Sequence, residues 1–107
     1  MINRINVTDW VPLDLPTLQT IILIAEDDEY SVGDTFTIAG WHNTTPVRLE
    51  RVIRKGWSEV EIQDLLHYYA TRFKYDWDKV GTHIYHIHGV HPAGLKVDVL
   101  YVRNIQD

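Results

Sequence analysis

The run Thr20-Ile21-Ile22-Leu23-Ile24 constrains this chain more than any other feature. It is almost wholly β-branched, which fits a strand covered on both faces. Later stretches alternate in the strand period. Over Thr35 to Trp41, Phe36 and Ile38 point one way and Thr35 and Thr37 the other. Over Val47 to Lys55, Val47, Leu49, Arg51 and Ile53 alternate with Arg48, Glu50, Val52 and Arg54. Leu95 to Arg103 alternates again and reads as a closing strand. The connecting pieces suit turns. Glu26 to Glu29 is an acidic loop, Val32-Gly33-Asp34 is a turn, and His42 to Pro46 is a turn by composition. Residues 1–17, with Pro12 and Pro16, read as an irregular N-terminal segment.

Between the third and last strands the period changes. Ser58-Glu59-Val60-Glu61 has the form of a capping box, with Ser58 as N-cap and Glu61 at the third helical position. Ile62, Leu65, Leu66, Tyr69 and Phe73 then fall on one helical face. Asp76 suits the cap of a second helix carrying Trp77, Val80, Ile84 and Ile87, with Gly89 and Pro92 as its stop. Over Thr82 to His88 a strand competes, and helix is preferred. Strands, then one or two helices, then a strand is not βαβ alternation. The expected class is α+β: a curved antiparallel sheet or small β-barrel with helices set against it.

The chain has 107 residues, 45% apolar and 23% charged, which is one domain's length and a globular composition. It has no cysteine, so disulfide scaffolds, thiol catalysis and cysteine-ligated zinc are excluded. Ten Lys and Arg against fifteen Asp and Glu give −5, which argues against a dedicated duplex-DNA binder but leaves room for a local basic patch. Met1 to Leu15 lacks the apolar core of a signal peptide, and Ile21 to Ala25 is too short to span a bilayer. A cytoplasmic protein is the expectation.

The segment LQTIILIAEDDEYSVGDTFTIAGW, Leu18 to Trp41, resembles ASCH domains of the PUA-like superfamily. Those carry a strand of the form GKKTxTIR, a polar loop, then (Y/F)xVGDxxxV. Gln19 to Ile24 takes the first slot, Tyr30-Ser31-Val32-Gly33-Asp34-Thr35-Phe36 the second, and Leu95 to Val102 the slot of the last strand. The likeness runs from about residue 18 to 102. It implies an α+β, PUA-like sheet and a ligand among RNA, nucleotides and modified bases. The family's small amidohydrolases resemble this pattern with a Lys and a Thr on the first strand and a carboxylate in the helical region. Here Gln19 and Ile22 stand in the Lys and Thr slots and Ile24 in the Arg slot, with Asp76 as the surviving carboxylate. Gln and Ile supply neither an activated nucleophile nor a metal ligand.

Arg48, Arg51, Arg54 and Lys55 crowd the third expected strand. Strict alternation pairs Arg48 with Arg54 and Arg51 with Lys55 on opposite faces, unless a bulge regroups them. Arginine grips phosphate by its planar fork, and Trp41 and Trp57 flank the strand as stacking surfaces. A charged strand edge that discourages aggregation is the plainer alternative. The segment Thr82 to His91 holds four of the six histidines. His86 and His88 share a face on a strand and would be the zinc candidates; on a helix, they are ordinary polar positions. Glu26 to Glu29 is a solvated loop or a phosphate mimic.

The leading expectation is a binding module without catalysis for RNA, a nucleotide or a modified base. In it Gln19 and Thr20 are polar readers, Trp41 stacks, and Arg48 and Arg51 hold phosphate. The alternative is a small acidic protein-interaction module, such as a phage-encoded inhibitor of a host nucleic-acid or defence system. The third is an amidohydrolase for acylated nucleosides using Asp76.

Overall fold

The computed structural model describes residues 4–6, 17–25, 30–40, 44–64 and 77–105. Five strands form one sheet: β1 (Arg4–Asn6), β2 (Leu18–Ile24), β3 (Thr35–Ala39), β4 (Thr44–Gly56) and β5 (Lys96–Asn104). Their order is β1-β3-β4-β5-β2. β1 runs parallel to β3, and every other pairing is antiparallel. The sheet curls strongly into a half-barrel. One short helix, α1 (Trp77–His88), packs nearest β2. Among the described residues, no helix is long and apolar enough to cross a membrane.

The strand chemistry explains the layers. β2 is buried along its length, as a β-branched run without polar alternation requires. β3 buries Phe36, Ile38 and Ala39 and exposes Thr35. β5 is buried from Val97 to Val102, so both of its faces are covered despite the alternating polarity of its sequence. Ile5, Phe36, Ile38, Val47, Leu49, Leu100 and Ile21 belong to one apolar core, closed by Val80 and Ile84 of α1. Those two helix residues lie four apart, one turn along the same face. Gly89 ends the helix at φ +76, and its N–H donates to the Tyr85 carbonyl at 2.7 Å.

The turn before β3 also has a clear cause. Gly33 sits at φ +96, a left-handed conformation that glycine adopts without a Cβ penalty. The Asp34 carboxylate accepts from the Ser31 N–H at 3.1 Å, and the Gly33 N–H donates to the Leu49 carbonyl at 2.8 Å. The turn is thereby pinned to the middle of β4.

Several expectations are corrected. The N-terminal segment is not wholly irregular, because Arg4–Asn6 adds a strand at the sheet edge. Thr44, Thr45 and Pro46 are not a turn but the start of β4. Ser58 does not cap an α-helix. It lies inside a 3₁₀ turn, Trp57–Glu59, whose first residue follows Gly56 without any side-chain cap. Val60 is then extended, at φ −71 and ψ 130, and a second 3₁₀ turn spans Ile62–Asp64. Burial of Val60 in the core outweighs the local capping signal. The remainder of that expected helix, 65–76, lies outside the described residues, as does Asp76. The preference for helix over Thr82 to His88 holds.

Candidate functional site

β4 is long enough to serve two neighbours. Its first half pairs with β3 and its second half with β5. Between Leu49 and Arg51 the register against β5 shifts, which makes Glu50 an extra residue, a β-bulge. The bulge reverses the parity of every side chain after it. Thr45, Val47 and Leu49 face the core; beyond the bulge Val52 and Arg54 do. Arg51 and Lys55 therefore join Arg48 on the outer face, and Arg54 leaves it.

Residues directly opposite in a sheet share a face, so the register reads out this surface. Arg48 pairs with Arg103 on β5 and with Thr35 on β3. Arg51 pairs with Tyr101, two positions from Arg103. Thr37 pairs with Arg4 on β1. One outer face thus carries Arg4, Arg48, Arg51, Lys55 and Arg103 in a chain whose net charge is −5. Arg4, Arg48 and Arg51 are exposed.

Two carboxylates meet this face. Glu50 accepts from Arg103 Nε at 3.1 Å. Asp64 accepts from Lys55 Nζ at 2.7 Å and from the Glu61 N–H at 2.8 Å. Among the described residues, Arg48 and Arg51 hold no carboxylate. Directly opposed like charges destabilise a sheet by up to about 1 kcal/mol, yet Arg48 stands opposite Arg103. The Glu50 carboxylate on Arg103 offsets that repulsion.

The Ile62–Asp64 turn meets the Tyr101 end of the face. The Tyr101 hydroxyl donates to the Asp64 carbonyl at 2.7 Å, and the Arg51 guanidinium lies over the Tyr101 ring, 5.7 Å from its centroid. Burial and the nearby Asp64 charge raise the Tyr101 phenol above its ordinary pKa, so it remains a neutral donor. Burial pushes the Asp64 carboxyl up. The Lys55 hydrogen bond, the Glu61 N–H and the charges of Lys55 and Arg51 outweigh it and hold the group below its usual value. The same hydrogen bond from Asp64 raises Lys55.

These directions fix a pH dependence. A lowered carboxyl stabilises the fold above its unfolded pKa and ceases to do so as pH falls through its folded value. A raised lysine stabilises below its unfolded pKa and stops doing so as pH rises through its folded value. The stability difference between the native chain and Lys55→Met is expected to be flat from about pH 5 to about pH 9 and to shrink at both ends. Urea unfolding across that range measures it. A difference that widens below pH 4 would contradict the pairing.

The other expected site residues are placed as follows. Gln19 and Thr20 are 2% and 0% exposed, opposite Val102 and Tyr101. They sit on opposite faces of β2; Thr20 shares the row of Tyr101 and Arg51, but both residues are closed to water. Trp41 and the acidic run Glu26 to Glu29 lie outside the described residues. Trp57 is half-buried against the core. His86 is exposed on α1, and the side chain of His88 lies outside what the structure describes. Among the described residues, no three histidine, aspartate or glutamate side chains gather as a metal site. Arg103 and Arg4 were not anticipated as members of the face. The Arg in the closing strand was the available signal for one; nothing in a three-residue edge strand announced the other. No family model, curated protein or solved structure matches this chain.

Proposed function

We propose that the outer face of β3 and β4, with Arg103 at the end of β5, binds the phosphates of RNA or of a nucleotide, and that the protein acts by binding. The observation that supports this reading is the bulge at Glu50, which sets exposed Arg48 and Arg51 beside Arg103 on one side of the sheet. Arginine presents five N–H donors in a fork that fits phosphate oxygens. Thr35 lies in the row of Arg48, and Thr37 in the next row beside Arg4, so both add hydroxyl donors to this face. The ligand class agrees with what the ASCH-like segment implies. Gln19 and Thr20 are left out, because water does not reach them.

The test is fluorescence anisotropy with an end-labelled single-stranded oligouridine over a series of salt concentrations. Native protein is expected to bind with affinity that falls as salt rises. Arg48→Ala is expected to weaken binding about ten-fold at low salt, on the scale of a hydrogen bond to a charged group. It should also reduce the salt slope by about 0.7, the loss of one neutralised phosphate on a single strand. Absence of binding at low salt to both oligouridine and mononucleotides, or an unaltered affinity in Arg48→Ala, would overturn the reading.

A further inference from the structure

Arg48 and Arg51 occupy the same face in different settings. Arg48 projects from β4 with no aromatic ring beneath it among the described residues. Arg51 lies over Tyr101, a residue only 5% exposed. The ring itself is fixed. Its hydroxyl is tied to the Asp64 carbonyl, and the Asp64 carboxylate is held by Lys55 and the Glu61 N–H. A guanidinium is a flat, weakly hydrated cation that stacks on π systems on either side. The Arg51 guanidinium carbon lies 5.7 Å from the Tyr101 ring centroid, and the residue is exposed to solvent.

We infer that Arg51 is a stacking platform for an unpaired nucleobase, supported from below by Tyr101, while Arg48 contacts phosphate. This rests on the reading of the face as a phosphate-binding surface and adds the form of the ligand. A base can lie on Arg51 only if its own face is free, so the site selects single-stranded RNA over duplex. Unstacked bases in single strands are held this way on aromatic and arginine planes. The tyrosine under Arg51 reduces the freedom that the guanidinium must surrender on binding, as preorganised contacts do.

Two probes with the same number of phosphates separate the roles: an oligouridine and an abasic ribose-phosphate chain of equal length. The native protein is expected to prefer oligouridine by about ten-fold, within the range for stacking one base. Arg51→Lys keeps the charge and removes the plane. It is expected to lose the preference for oligouridine, whatever fall in affinity the two probes share. Arg48→Lys is expected to weaken both probes alike and keep the preference. Equal binding of the two probes by the native protein would overturn the stacking role and leave phosphate binding intact, and needs no variant to fold. A preference that survives in a folded Arg51→Lys protein would overturn it as well. Failure of the native protein to bind either probe would overturn both proposals together.

Discussion

Leu100→Ala is expected to lower the free energy of unfolding by about 3–4 kcal/mol, the range of a fully buried leucine whose cavity does not close. Leu100 is 0% exposed and lies in a row across the sheet, between Val52 on β4 and Ile21 on β2. Those neighbours are β-branched and held in strands, so they cannot swing into the space left behind. Native domains have about 5–15 kcal/mol in total, so roughly a fifth or more of the stability goes with one side chain. The melting temperature is expected to fall by about 15 °C at roughly 4–5 °C per kcal/mol for a chain near this size. Val32→Ala, at a side chain 65% exposed, provides the contrast and should change little. Urea unfolding followed by circular dichroism gives both values. A loss below about 1 kcal/mol for Leu100→Ala would show that the row repacks.

Arg54→Ala comes second, at about 2–3 kcal/mol, and for a different reason. Arg54 and Asp98 are cross-strand partners on the core-facing side, joined by two hydrogen bonds, Nε to Oδ1 at 2.7 Å and Nη2 to Oδ2 at 3.0 Å. Asp98 is completely buried, whereas the Arg54 side chain is 48% exposed. Most of the cost arises at the aspartate, a fully buried carboxyl group left without the two guanidinium donors it accepts from. Water reaching the arginine end lowers the cost below that of a sealed pair. The paired replacement Arg54→Met with Asp98→Leu is expected to recover most of the loss, because an apolar pair of similar size carries no desolvation penalty. If the double variant is less stable than Arg54→Ala, the loss belongs to strand packing and not to the stranded carboxyl group.

How much of this was legible in the sequence depends on the range of the forces involved. β2, β3, β4 and β5 were legible because each is written in its own residues: a β-branched run, an alternation, a turn at Gly33-Asp34. Trp77–His88 was legible through Val80 and Ile84 one turn apart and Gly89 after them. β1 was not, because Arg-Ile-Asn holds a single apolar residue and has no period to detect. The helix start at Ser58 failed because tertiary contacts decide there. Val60 is drawn into the core, and the Asp64 carboxylate is claimed by Lys55. Most instructive is β4. Val52 and Ile53 are both apolar, so the sequence past Glu50 is compatible with either parity. The bulge chooses one, and with it decides which arginines are neighbours.

The pairing of β2 has a consequence for how the chain reaches this state. Among the described residues, β2 has one strand partner, β5, and Leu18 meets Arg103. During synthesis the Ile21-Ile22-Leu23 stretch leaves the ribosome long before Lys96–Asn104 exists to cover it. For that interval it is an unpaired, uncharged, β-prone segment, the kind that other chains or a chaperone will capture. Its contacts are also among the most distant in sequence, which places this topology toward the slow end of single-domain folding. Yield of native protein in the cell is therefore governed by the time spent waiting for β5 as much as by the stability finally attained.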